Sequence, residues 1–191
     1  MAQNFVKFLK KSPKKYKIFF LDDDIMITEI LRKTLTKMLQ EQLKGYEFEY
    51  ESFNDPNGSF IERVENGKPD FLLLDFHILL PGGKEVLGIN VLKKMQKEYP
   101  DLTVIMLTSE DRLDTAVSLM REGAHDFVLK SPTAEVNLVK SISRKIAFLQ
   151  LEFTNQRNRF FLKAGVLLWL ITLAGLFLMW TFFSTSITKF K

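Results

Sequence analysis

Cysteine is absent from the 191 residues. That excludes disulfides and thiolate metal sites and fits a reducing compartment. Acidic residues are absent before Asp22, while Lys7, Lys10, Lys11, Lys14, Lys15 and Lys17 crowd the N-terminus, interleaved with Phe5, Val6, Phe8 and Leu9. Residues 1–15 therefore read as a basic arm, suited to anionic lipid or nucleic acid or simply solvated, and the interleaved aromatics favour lipid. No apolar run near the start resembles a signal peptide. Proline and glycine are missing from Ala134 to Lys163, and charge is missing from Ala164 to Thr188. The first gap permits one uninterrupted helix. The second is long enough, at ~1.5 Å per residue, to cross a hydrocarbon core of ~30 Å.

What is present is a sizeable apolar fraction, 46%, enough for one domain of ordinary size plus an appendage. Its centre is Pro69-Asp70-Phe71-Leu72-Leu73-Leu74-Asp75. A short, continuous apolar run reads as a strand buried on both faces, as in a parallel sheet, with Asp75 at its carboxyl end. Tyr16–Leu21 and Leu102–Leu107 are similar runs, ending at Asp22-Asp23 and Thr108. Tyr46–Glu51 alternates with period two and reads as a half-wet strand near a sheet edge. Asp126–Leu129 is a fifth strand, ending at Lys130.

Helical spacing separates them. Ile27, Ile30, Leu31, Leu35, Met38 and Leu39 form an apolar face ahead of Gly45. Shorter helices follow around Phe60–Val64, over Ile89–Tyr99 and over Asp111–Glu122, and Pro132 opens a last one. Phe76–Leu87, with Pro81-Gly82-Gly83, reads as a long loop that either shapes partner binding or is simply tolerated, since long loops cost little extra closure entropy. Five strands alternating with helices imply βαβ crossovers of one hand. The expected fold is α/β, a doubly wound five-stranded parallel sheet over residues 16–149.

The last helix carries Leu138, Ile142, Ile146, Leu149 and Phe153 on one stripe. It is read as a stalk over 150–163 that either self-pairs in a homodimer or is solvated in its later half. It continues into a single transmembrane helix over 164–188, with Trp180 suited to an interfacial belt and a short tail over 189–191. Arg157, Arg159 and Lys163 precede the span and only Lys189 and Lys191 follow, so the N-terminal side is expected in the cytoplasm and the C-terminus outside.

In a parallel sheet the polar strand tips share one edge, where open α/β folds place their chemistry. Asp22, Asp23, Asp75, Thr108 and Lys130 would meet there. Three crowded carboxylates repel, and a hard divalent cation such as Mg²⁺ relieves that. An aspartate so supported, beside a lysine and a hydroxyl, can attack phosphorus to give an acyl phosphate. Other roles are open to the same residues. Asp22 to Asp24 suit a helix cap, Thr108 could cap the following helix, and Asp75 could be a solvated loop acid. His77 and His125 are too far apart in pattern for a metal pair. His125 reads as a surface residue and His77 as a bystander beside the site.

These residues, in this order on these elements, resemble the receiver domain of bacterial two-component response regulators. Gly123-Ala124-His125-Asp126-Phe127-Val128-Leu129-Lys130 is similar to the family's signature before its lysine, and the resemblance runs from about Lys17 to Ala147. It implies a flavodoxin-like fold with Asp75 as phosphoacceptor, fed by a sensor histidine kinase or a phosphotransfer protein. It implies Mg²⁺ held by Asp22, Asp23, Asp75 and the backbone carbonyl of His77. Thr108 and Phe127 would move on phosphorylation, Lys130 would contact the phosphoryl group, and output would be read from the fourth helix, fifth strand and fifth helix. Three features depart from the family pattern. Pro81 stands six residues past Asp75 rather than four, Gly88 also comes later than usual so that the loop Phe76–Leu87 is enlarged, and Ser131 separates Lys130 from Pro132.

With only stalk and span after Leu149, the expected role is that of a phosphorylation switch at the bacterial inner membrane. It would act by protein contacts on a downstream partner the sequence does not name, with no direct nucleic-acid binding and no enzymatic turnover beyond its own phosphorylation and dephosphorylation. The alternative is a receiver-like membrane scaffold that does not switch. An aspartate-nucleophile phosphohydrolase is disfavoured, because the position two after Asp75, where such enzymes carry an acid, is His77.

Overall fold

The structure, a computed structural model, describes residues 15–80 and 82–188. The N-terminal lysines before Lys15, Pro81, the Trp180 side chain, Lys189 and Lys191 lie outside what is described. Two compact units are distinguished, one ending at Ile146 and one that includes Ala147 onward.

In the first unit the elements are β1 (Lys15–Leu21), α1 (Ile25–Gln42), β2 (Glu47–Phe53), α2 (Ser59–Gly67), β3 (Phe71–Asp75), β4 (His77–Leu79), β5 (Glu85–Leu87), α3 (Gly88–Glu98), β6 (Thr103–Thr108), α4 (Leu113–Arg121) and β7 (Asp126–Leu129). The start of α5 (Ala134–Thr188) completes it. The main sheet is parallel, in the order β2-β1-β3-β6-β7. This is the expected doubly wound arrangement, and its strand order reverses between β1 and β3, the usual place for a site.

Strand composition follows position. β3 and β6 are central, and every residue of each is buried. β2 is an edge strand, in which exposed Glu47 and Glu49 alternate with half-buried Phe48 and Tyr50. Because successive side chains point to opposite faces, each strand feeds two cores. Ile18, Phe20, Phe71, Leu73, Ile105 and Leu107 pack with Leu35 and Leu39 of α1 and Leu138 and Ile142 of α5. Phe19, Leu21, Leu72, Leu74, Val104 and Met106 pack on the other side with Phe60, Leu92, Met95 and Leu119.

Two expectations change. Ile27 and Ile30, assigned to the inner face of α1, are 37% and 57% exposed. The buried stripe of α1 runs instead through Thr28, Leu31, Leu35 and Leu39, which leaves Ile27 and Ile30 at its flank. The segment Phe76–Leu87 is not a plain loop. His77–Leu79 and Glu85–Leu87 pair antiparallel into a two-stranded ribbon, closed by Gly82 and Gly83, both at positive φ.

In the second unit, α5 continues through residues 147–188 without a break. It is the one helix among the described residues that is long and apolar enough to cross a membrane, judged by length and composition. Most of its described apolar side chains are exposed, with Leu168 at 66% and Trp169 at 62%.

Candidate functional site

The site is built from the carboxyl ends of β1, β3, β6 and β7. Asp22 follows β1 and Asp75 ends β3, and β1 and β3 are hydrogen-bonded neighbours with Leu21 opposite Leu74. Thr108 ends β6, whose Leu107 pairs with Asp75. Lys130 follows β7, and its backbone N–H donates to the Thr108 carbonyl at 2.7 Å. Register therefore brings residues 22, 75, 108 and 130 to one sheet edge.

The side chains converge there as well. One carboxylate oxygen from each of Asp22, Asp23 and Asp75 lies within 4.8 Å of the others. The Lys130 ammonium donates to Asp22 Oδ2 at 2.8 Å and reaches Asp75 Oδ2 at 2.9 Å. Asp22 and Asp75 are buried, and the Lys130 side chain is nearly so. Ser131, which separates Lys130 from Pro132, does not prevent this placement of the lysine.

Burial sets the electrostatics. It pushes the Asp75 carboxyl above its ordinary value, with Lys130 pulling down and Asp22 pushing up further. Burial also works against the Lys130 ammonium, but the hydrogen bonds to Asp22 and Asp75 outweigh it and hold Lys130 above its usual range. The lysine stays charged and bridges two neighbouring buried carboxyl groups.

The acids divide their work. Asp24, not Asp22 or Asp23, caps α1: its side chain accepts from the Ile27 N–H at 3.0 Å. Asp22 Oδ1 accepts from the Asp24 N–H at 2.9 Å, which fixes the rotamer that meets Lys130. Thr108 does not cap α4, whose N-cap is Arg112. Its hydroxyl oxygen instead accepts from the Glu110 N–H at 3.0 Å. Phe127 is half-buried at the rim of the core on the α2–α3–α4 side, opposite Met106 in register. His125 is exposed, as expected.

A family model described as the response regulator receiver domain matches residues 18–143. The chain belongs to that family. This receiver is 33% identical over 101 residues to the luminescence regulatory protein LuxO of Vibrio campbellii, covering 52% of this chain and 21% of that protein. It is 31% identical over 116 residues to the DNA-binding transcriptional regulator NtrC of Proteus hauseri, covering 61% and 22%. The chain thus spans about a fifth of the length of these curated relatives. Among solved structures, the receiver resembles a CheY-like receiver domain from Methanospirillum hungatei (TM-score 0.54, 26% identity, 72% of this chain and 98% of that one). It also resembles the receiver domain of NtrX from Brucella abortus (TM-score 0.55, 25% identity, 68% and 98%).

One set of contacts escaped the sequence, that of His77 beside the site. Its Nδ1 meets Glu85 Oε1 at 2.5 Å and its Nε2 meets Glu110 Oε1 at 3.2 Å. The bond to Glu85, then that to Glu110, raises the imidazole's pKa, and His77 in turn lowers that of Glu110. Glu110 lies 33 residues away in the chain, so no local pattern could have announced the contact.

Proposed function

We propose that this receiver accepts a phosphoryl group on Asp75 and signals from a membrane surface. The observation that carries the reading is the single ammonium of Lys130 shared between Asp22 and Asp75, inside a cluster of three carboxylates. An ionised Asp75 oxygen attacks the phosphorus of a phosphohistidine or a small acyl phosphate. The P–O bond to Asp75 forms as the bond to the donor's imidazole nitrogen or carboxylate oxygen breaks, and that group leaves with the electron pair. Lys130 sits within reach of the equatorial oxygens and offsets their charge, and the Thr108 hydroxyl donates to one of them once it turns toward Asp75.

The donor set fits Mg²⁺: hard carboxylate oxygens, close together, with one cation already needed to hold them. Asp22, Asp23 and Asp75 would hold the ion, with the His77 carbonyl as a further ligand. When bound, it supplies charge neutralisation on the phosphoryl oxygens.

A sensor histidine kinase or a phosphotransfer protein would supply the phosphoryl group. The exposed Ile25, Met26 and Ile30 beside the acids offer the donor an apolar rim. The charge-free part of α5 would anchor the receiver in the bacterial inner membrane. Arg157, Arg159 and Lys163 would lie on the cytoplasmic side and the C-terminus outside. A downstream protein would read the α4–β7–α5 face. No nucleic-acid contact and no turnover of a separate substrate belong to this reading.

The test is to incubate the full chain in detergent micelles with acetyl phosphate and Mg²⁺ and map adducts by mass spectrometry. A phosphoryl adduct on Asp75, lost in Asp75→Asn and on chelation, is the expected result. An unmodified wild-type chain would leave the non-switching scaffold as the better account.

A further inference from the structure

The ribbon β4–β5 sits between the phosphoacceptor and α3, and it is tied down at both ends. Ile78 is fully buried in the core on the α3 side. The Gly88 N–H donates to the Phe76 carbonyl at 2.7 Å, and a Cβ at Gly88 would come within 2.0 Å of the Asp75 carbonyl oxygen. The returning strand therefore touches the backbone of the phosphoacceptor itself. The opposite face of the ribbon is exposed, with Leu79 at 55% and Leu87 at 39%.

A continuous chain of contacts links that ribbon to Thr108. Glu85 on β5 holds His77 on β4, and His77 holds Glu110 in the loop after β6. The other oxygen of Glu110 accepts from the Thr115 hydroxyl at 3.0 Å, at the start of α4. The backbone N–H of Glu110 donates to Thr108 Oγ1. A hydroxyl can accept one hydrogen bond while donating another. When Thr108 turns to donate to a phosphoryl oxygen on Asp75, Glu110 is drawn along through its N–H. Of the two His77 contacts, the one to Glu110 is the longer, and it alone bridges the ribbon to the moving loop.

We propose that His77 is a positioning residue that latches the β4–β5 ribbon to the Thr108 loop at rest, and that phosphorylation of Asp75 opens the latch at the His77–Glu110 contact. The inference rests on the phosphoacceptor reading above. With the latch open, the ribbon that carries the exposed Leu79 and Leu87 becomes free to change position with the state of Asp75. The ligand does the work through differential contact, as any switch requires. Because the bridging side chains are largely exposed, the latch is a bias rather than a lock.

The experiment is amide hydrogen exchange on the full chain in micelles, following peptides that cover Leu79–Leu87, with intact mass recorded on the same samples. At rest, Glu110→Ala, which keeps the N–H to Thr108, should speed ribbon exchange about two- to fivefold. Glu85→Ala should loosen the ribbon similarly while leaving the Thr108 loop unaltered. Phosphorylated wild type should match resting Glu110→Ala, and phosphorylated Glu110→Ala should show no further gain. That lack of additivity separates a latch from mere local support.

Unchanged ribbon exchange in resting Glu110→Ala, with its melting transition intact, would overturn the latch whatever Asp75 does. An adduct on wild-type Asp75 with no change in the ribbon would overturn its coupling to phosphorylation. Absence of the adduct would instead remove the phosphoacceptor reading and the switching half of this proposal with it, leaving the resting comparison to judge the latch alone.

Discussion

The two parts of α5 use the same apolar residue types and meet opposite fates. In the receiver, Leu138, Ile142 and Ile146 are at most 1% exposed and pack with Ile18, Phe20, Leu73 and Ile105. Beyond Ala147, Leu168, Trp169, Ile171 and Phe177 are each at least 60% exposed. The difference lies in what surrounds the apolar positions. Lys140, Arg144 and Lys145 punctuate the first part, so only one stripe is apolar and a sheet can cover it. From Ala164 to Thr188 no charge marks off a polar side, so no single sheet face could cover that stretch, and an exposed apolar surface that extensive is poorly suited to water. Hydrophobicity in the first part is answered by protein. In the second, on the proposed reading, it is answered by lipid.

Matched truncations give the sharpest contrast. Leu138→Ala should destabilise the receiver by about 2–5 kcal/mol, since it opens a cavity in a packed core. Leu168→Ala should leave receiver unfolding unchanged. Denaturant titration in micelles, followed by the near-ultraviolet signal of the receiver, reads both. Equal losses in the two variants would erase the distinction between the parts.

A charge probes the second part directly. Leu168→Lys should cost about 2.5–3.5 kcal/mol of insertion if that residue lies near the bilayer centre, and should release part of the chain from membranes under alkaline wash. The receiver should remain folded. Wild type that washes off as readily as the variant would defeat the anchor.

Much of this contrast was legible in the sequence, because composition carries it. β3 and β6 read as buried central strands since neither side of them is polar, and the acids and the threonine at their tips had to share an edge once the sheet was parallel. The charge-free stretch of α5 was equally plain. The ribbon was not. Its strands, His77–Leu79 and Glu85–Leu87, are three residues each, too short to display alternation, and Pro81-Gly82-Gly83 between them reads as any loop. The partners of His77 come from β5 and from the loop after β6, so its role is tertiary. Ile27 and Ile30 show the converse error: the period was right, but the buried stripe runs through Thr28 and Leu31 instead. At its flank they line a cavity of about 270 Å³ with Leu107, Lys130 and Pro132.

The smallest expected effect tests what burial by protein does to a charge. Burial raises the Asp75 pKa in the folded state even with Lys130 beside it, whereas in the unfolded chain an aspartate titrates near ~3.9. Between those two values the folded state binds more protons than the unfolded one. Stability is therefore fully present below the unfolded value and falls as pH rises through the folded one. At neutral pH the ionised Asp75 costs stability that asparagine does not. Without metal, Asp75→Asn should melt above wild type at pH 7.5, and the gap should close as pH is lowered toward the unfolded aspartate value. Mg²⁺ should then raise wild type more than the variant, because an ion bound by the native carboxylates stabilises the native state in proportion to its affinity. Calorimetry with chelator, then with Mg²⁺, at several pH values reads all of this. A variant that melts below wild type in chelator at pH 7.5 would mean that Lys130, not burial, governs the charge of Asp75.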